Sequence, residues 1–422
     1  MVTELSQEEL LQLAHALHRA AHAKDLSALI AKKIDDLRYY DVPNMERAAA
    51  ICFWGRSGSV LAASYLDGHD DVVLLPDIHG DRIYQFFERY QSLPLHEKLI
   101  AYPIFSYNFF EGAFAINAGD YYAAVAAIFE VYGGSPQQLL ETRRAFFQFL
   151  HVAYSLALGR RPASTRPLMV YALHWWNEEL ARRFVEDFPQ ARFLHTVRDP
   201  ITAFDRSFEF WHKDWAPMWR NLKVDRTSVY VMGGLRRHDQ PHPGMESRTR
   251  AIRFEDLHSQ AEETMRRVLD WLSLPFHVAV LKSTFNGRPY VVERAGIAWT
   301  GPRPEQTLRS SRNIAFTDKA ILFALFYENF VAWNYSCPKI FGHALVRGLM
   351  CILVLLIPMK AEVIGARATI KMQVRPSLKL ENFQSAFGCL FRIFVCPLSM
   401  IWNVAGELCR RIIFGKAVLK LL

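Results

Sequence analysis

"FWGRSGSVLAASYL", residues 53–66, decides how this chain is read. The apolar run that enters it, AAAICFW at 48–54, has the length and composition of a buried parallel strand. Two glycines, Gly55 and Gly58, bracket the turn that follows, and residues 59–67 have a helical pattern. Strand, glycine turn and helix in that order make an anion cradle. Glycine lets the backbone approach a ligand, and successive N–H groups at a helix N-terminus face it with partial positive charge. Ser57 and Ser59 add hydroxyl donors. A nucleoside-triphosphatase loop ends in Gly-Lys-Ser/Thr, with the hydroxyl on magnesium. This one has no lysine: Val60 follows Ser59, and the cation, Arg56, comes two residues before the second glycine. The loop suits a phosphate held without a metal; a glycine-softened turn with no ligand is the plainer alternative.

The same grammar repeats along the chain. DDVVLL (70–75), PLMVYAL (167–173), ARFLHTV (191–197) and the start of RAIRFEDL (250–257) read as strands. Helical patterns occupy 176–188 and 261–274, and 80–160 is mainly helical. Two helices precede the first strand, within residues 5–37, and Ser6 with Glu9 has the spacing of a capping box. Alternation of strands and helices predicts an α/β protein, a parallel sheet flanked by helices. The aromatic-rich stretch from Ile104 to Tyr132 reads as core, with an acceptor cleft as the alternative.

A second anion motif strengthens the first. FLHTVRDPITAFDRSFEFW (193–211) is a strand ending at Arg198, then Asp199-Pro200 opening a helix. An arginine at the carboxyl end of a parallel strand points into the ligand crevice of such a sheet. Its planar fork suits a second phosphate, separate from the one at the glycine loop.

These pieces together resemble the sulfotransferase family that uses 3′-phosphoadenosine 5′-phosphosulfate (PAPS). The resemblance covers residues 48–335. GRSGSV (55–60) is similar to the family's 5′-phosphosulfate loop, in the Arg-Ser-Gly form of its carbohydrate and tyrosyl members. VRDP (197–200) resembles the 3′-phosphate motif. The run from His174 through FPQARFLHTVRDP, and IRFEDL followed by VLDWLSL, match the flanking segments. The resemblance implies a P-loop-like sulfotransferase fold. It also implies in-line transfer of a sulfuryl group from PAPS to a hydroxyl of a carbohydrate or glycolipid, with no metal. Gly55, Arg56, Ser57, Gly58, Ser59 and Val60 would hold the 5′ end of the cofactor. Arg56 would stabilise the leaving phosphate, and Arg198 would take the 3′-phosphate.

The chain departs from the family pattern in two places. The family's serine lies eight residues after the motif arginine; here that place is Arg206, and Ser207 lies at nine. One residue turns a helix by about 100°, so both Arg206 and Ser207 are candidates. The family's glycine-rich C-terminal nucleotide loop is replaced by residues 293–313, where Arg303, Arg309 and Arg312 are candidates to cover the cofactor and Trp299 to touch it. For the base, related members place a Glu a little over twenty residues past the loop cation. Asp77 and His79 fall 21 and 23 residues after Arg56. Asp77 has the better register, and His79 needs the smaller pKa change to work near neutrality. His174 and His195 read as sheet-end or core residues.

Composition bounds the alternatives. The chain has 422 residues and a net charge of +8. Twelve Lys/Arg against three acidic residues after Cys337 put +9 in the last stretch and leave the rest near neutral, which excludes a nucleic-acid binder. Six cysteines without CxxC spacing favour neither a disulfide framework nor zinc, and fit a reducing compartment. The N-terminus reads as an amphipathic helix and not a signal peptide. Three regions are expected: N-terminal helices (1–47), the sulfotransferase-like domain (48–337), and an apolar, basic extension (338–422). In the extension, apolar stretches at 348–359 and 386–408 fall short of the roughly 20 clean residues that a spanning helix needs. They read as helices lying on a membrane; a cap packed on the domain, or a homodimer face, is the alternative. The expected location is cytoplasmic, peripheral on the inner face of a membrane, which favours a membrane-linked glycan or glycolipid acceptor. Two other classes compete. A nucleotide kinase or NTPase would need magnesium and the missing lysine. A catalytically silent, membrane-associated nucleotide binder would have no use for Arg56 and a base.

Overall fold

The computed structural model describes residues 5–22, 26–53, 57–76, 81–106, 109–112, 114–133, 142–174, 178–206, 241, 244–294, 297–307, 314–356, 360, 406, 409 and 418–422. Two helices open the chain, α1 (Gln7–His22) and α2 (Ser27–Leu37). The capping box at the start of α1 forms as its spacing predicts: the Glu9 amide donates to Ser6 Oγ at 3.2 Å, and the Ser6 amide to Glu9 Oε2 at 2.8 Å.

Five parallel strands follow: β1 (Ala48–Phe53), β2 (Val72–Leu75), β3 (Leu168–His174), β4 (Arg192–Val197) and β5 (Thr249–Arg253). Their order across the sheet is β2-β3-β1-β4-β5. β1 is central, pairing with β3 on one side and β4 on the other. The register brings Phe53 opposite both His174 and Thr196, and Val197 opposite Arg253, so the carboxyl ends of four strands finish together. The chain crosses from β1 outward to β2 and back to β3, then goes to the opposite side for β4 and β5. The loops after β1 and β4 therefore part in opposite directions, and ligands of open α/β sheets bind at such a switch point.

Side chains alternate along a strand, and both faces of this sheet are buried. Ala48, Ala50 and Cys52 of β1 join a core with α1 and the helices α4 (Asp81–Arg89), α5 (Leu95–Phe105), α6 (Ala118–Tyr132), α7 (Arg143–Ala157) and α8 (Glu178–Asp187). Ala49 and Ile51 face the second core, with α3 (Ser59–Leu66) and the helix Ala261–Trp271. The aromatic stretch is core: Phe105, Phe109, Tyr121 and Tyr122 are buried among one another.

A third layer covers the far side of β4. The helix at 200–206 contributes Ile201, Ala203 and Phe204 to a cluster with helices Phe316–Leu325 and Tyr327–Ala332. The helix Ala344–Leu356 lays Val346 and Met350 on that cluster. Residues 418–422 return to the sheet. The Ala251 amide donates to the Lys420 carbonyl at 2.8 Å, the Leu422 amide donates to the Ala251 carbonyl at 3.0 Å, and Leu421 pairs parallel to Ala251. Part of the basic extension thus packs on the main body. No helix among the described residues is long and apolar enough to cross a membrane.

Candidate active site

The site assembles where the carboxyl ends of β1, β4 and β5 meet. After β1, Gly58 sits in the left-handed region, at φ +91°, as the N-cap of α3. L side chains avoid that conformation, so glycine is required by the backbone alone. Packing adds a second reason: a Cβ at Gly58 would lie 2.6 Å from Phe254 Cδ2. The loop thereby presses onto the first residue of the segment after β5. Ser57 and Ser59 are buried beside it. Ser57 Oγ shares a hydrogen bond of 2.8 Å with Thr196 Oγ1 of β4, which ties the glycine loop to the strand carrying Arg198. Val60 packs against the second core.

After β4, Asp199 caps the next helix as the sequence predicts: its Oδ1 accepts from the Thr202 amide at 2.7 Å, with Pro200 in the first turn. Arg198, directly before it, is only 8% exposed. Its guanidinium carbon lies 4.0 Å from the centre of the Phe254 ring, a cation–π placement. Its Nε lies 4.0 Å from Glu255 Oε1. Burial pushes the Arg198 pKa down to about 10, opposed by Glu255 and reinforced by Arg206. The cation still holds its charge at neutral pH.

After β5, helix Phe254–Ser259 supplies the remaining wall. The Glu255 carboxyl is pushed above its ordinary value by burial, while the Tyr335 hydrogen bond and Arg198 pull it the other way. Tyr335 donates that hydrogen bond to Glu255 Oε2 at 2.5 Å. His258 packs edge-on against Phe254, with ring centres 4.5 Å apart. Its Nδ1 accepts from the Arg303 amide at 2.9 Å. Burial first, and then Arg198, lower its pKa to about 4, so it is neutral near pH 7.

The structure thus brings together Ser57, Gly58, Ser59, Arg198 and Arg206, and it brings the Arg303 backbone to the same wall through His258. Arg303 itself lies over the Trp299 ring, 4.8 Å from its centre, and near Glu305. His195 is buried within β4, and His174 ends β3. Gly55, Arg56, Asp77, His79, Ser207, Arg309 and Arg312 lie outside the described residues. Sequence reasoning missed Thr196, Phe254, Glu255, His258 and Tyr335. The one legible signal was the FEDL that follows a strand, since residues just past a parallel strand's carboxyl end line the crevice. No group of three or more His, Cys, Asp or Glu able to hold a metal ion occurs among the described residues.

A helix N-terminus after β1 and a buried arginine after β4 thus stand at one switch point of the sheet. The family is set by sequence: residues 50–278, more than half of the chain, match the model of the sulfotransferase family, and the chain belongs to it. Its helix-flanked parallel sheet is the P-loop-like architecture that the resemblance implied. Among solved structures, the chain is similar to a sulfotransferase domain from the curacin biosynthetic pathway, at 17% identity over 69% of this chain and 99% of that one, TM-score 0.36. It is similar to a sulfotransferase from Mycobacterium avium at 11% identity, over 69% and 78% of the two chains, TM-score 0.37. The sulfotransferase domain of the Synechococcus PCC 7002 olefin synthase matches at 19% identity, over 58% and 80%, TM-score 0.28. Likenesses this distant carry no weight for substrate or mechanism. No curated protein matches the chain.

Proposed function

We propose that this sulfotransferase moves the sulfuryl group of PAPS to a hydroxyl of a carbohydrate or glycolipid acceptor. The observation that carries the reading is the 2.8 Å bond between Ser57 and Thr196, which ties the glycine loop after β1 to the strand that leads into Arg198. The residues suit the cofactor. Gly58, in the left-handed region at the N-cap of α3, leaves the first amides of that helix clear to face a phosphate. Arg198 is buried and charged nearby and would take the 3′-phosphate. PAPS, when bound, supplies the activated sulfuryl group. Amides of Ser57, Gly58 and Ser59 at the start of α3 would hold the 5′ end. Arg56, one residue earlier, would face the charge that grows on the departing phosphate. Asp77 or His79, just past β2, would accept the acceptor hydroxyl's proton.

Calorimetric titration with 3′-phosphoadenosine 5′-phosphate, without magnesium and with ATP as control, tests the reading. Micromolar binding of the bisphosphate and none of ATP is expected, and Arg198→Ala should weaken it on the order of a hundredfold. Equal binding of both nucleotides would overturn PAPS as the donor, and an unaffected Arg198→Ala would overturn Arg198 as the 3′-phosphate ligand. For the base, Asp77→Asn and His79→Gln are compared for transfer. The true base's variant should lose on the order of a hundredfold or more in kcat with bisphosphate affinity intact.

A further inference from the structure

The helix Ala344–Leu356 is turned inside out for a water-facing surface helix. Its sequence, ALVRGLMCILVLL, holds one charged residue, Arg347. That residue points inward: its side chain is 11% exposed, its Nη1 is paired with Glu328 Oε1, and its guanidinium lies over the Tyr327 ring. Val346 and Met350, on the same side, pack on the cluster built by helices Phe316–Leu325 and Tyr327–Ala332. The side that faces away carries Leu345, Leu349 and Ile352, which are 88%, 57% and 55% exposed. Spacings of four and three residues place those three in one stripe. Ile340, in the turn just before the helix, is also exposed. A helix with its charge inward and a leucine–isoleucine stripe outward needs an apolar medium over that stripe.

Charge identifies the medium. Lys339 precedes the helix and Lys360 follows it, and both residues are exposed. The stretch from Pro338 onward carries twelve cationic residues against three acidic ones. Apolar stripe and basic flanks together are the signature of a helix that lies in a membrane interface, with leucines at acyl depth and lysines among anionic headgroups. Ala344–Leu356 alone run for about 20 Å, enough to lie along a membrane surface. We infer that the face formed by Leu345, Leu349 and Ile352 docks the protein on an anionic lipid surface. Its supporting cluster includes Ile201, Ala203 and Phe204 from the helix that Arg198 and Asp199 open, so the docked layer and the active site belong to one packed body. This inference stands apart from the reaction proposed above.

The test is flotation of the full chain with phosphatidylcholine vesicles, with and without about a third phosphatidylglycerol. The variant carries Leu345→Ser, Leu349→Ser and Ile352→Ser together. These are solvent-facing substitutions, and unchanged bisphosphate binding or an unchanged melting curve checks that the variant is folded. The parent should float with anionic vesicles, less so at high salt, and the triple variant should partition on the order of a hundredfold more weakly. A folded variant that floats like the parent would overturn the inference, as would a parent that stays with the buffer in both vesicle types. If the parent is a dimer that the variant breaks, and neither floats, the stripe is a contact between two copies and the lipid assignment fails. Loss of bisphosphate binding in the parent would instead fault the proposed reaction and leave the flotation result intact.

Discussion

Arg198, buried, and Glu255, with its side chain 21% exposed, face each other across 4.0 Å, and the pair predicts a pH dependence. A phosphate arriving at Arg198 meets the Glu255 carboxylate as a like charge. Burial, the largest influence on that carboxyl, raises its pKa, so acidification neutralises Glu255 earlier than a solvent-exposed glutamate. The sign follows: protonation of Glu255 removes repulsion and favours the phosphate, so this residue makes binding tighter as pH falls. The ligand's own phosphates take up protons near pH 6, which works in the opposite direction. Comparing two proteins separates the effects. Glu255→Gln keeps an oxygen for the Tyr335 hydroxyl and removes the charge. At pH 7.5 it should bind 3′-phosphoadenosine 5′-phosphate several-fold more tightly than the parent, a difference of about 1 kcal/mol. The two affinities should converge as the pH is lowered and Glu255 takes up its proton. Titrations at three pH values measure this; a constant ratio, or weaker binding by Glu255→Gln throughout, would show that the carboxylate positions Arg198 and does not oppose the ligand.

At the scale of elements, the contact between the glycine loop and Phe254 joins β1 to β5 across β4. Gly58→Ala should cost about 2–3 kcal/mol, part from the left-handed backbone and part from the ring that stands where the Cβ would go. Adding Phe254→Leu should recover the packing part and leave the backbone part. Urea melts of the four proteins in that cycle read the two contributions separately. A full recovery would mean that the backbone tolerates alanine. This contact also shows where the sequence stops being informative. The five strands, the helix that begins at Ser59 and the helix start at Asp199-Pro200 were all readable, because such signals are local. The partner of Gly58 was not, because it lies 196 residues away and depends on strand order, which periodicity does not encode. The Tyr335–Glu255 bond was hidden for the same reason. Residues 293–313 were read as a loop over the cofactor, yet Val291–Arg294 and Ile297–Thr300 pair as a hairpin. The paired strands are built from the β-branched and aromatic residues Val291, Val292, Ile297 and Trp299, a signal that was present and outweighed by the arginines.

The whole molecule is closed by residues far from the sheet in sequence. Leu419 is buried against Val197, Ala251 and Trp333, and its carbonyl accepts from the Trp333 indole at 3.1 Å. Arg267 Nη1 donates to the Leu422 carbonyl at 3.1 Å. Without residues 418–422, β5 would be an open edge, with the Ala251 amide and carbonyl unpaired. β5 runs directly into Phe254 and Glu255, so its rigidity is the rigidity of the Arg198 wall. Leu419→Ala should therefore act in two places. Stability should fall by about 2–4 kcal/mol, the range for truncating a buried leucine. Exchange of the Ala251 amide should speed up on the order of a hundredfold, since its acceptor is the Lys420 carbonyl, next to the truncated residue. Amides of β1 and β3, interior to the sheet and far from that edge, should change only through the global loss. Bisphosphate affinity should drop with the Ala251 protection, because Phe254 loses its fixed position under Arg198. Protection lost at Ala251 with affinity unchanged would show that the site is held by the Ser57–Thr196 bond and the Phe254–Gly58 contact alone. Protection and affinity lost together would make residues 418–422 part of the binding apparatus.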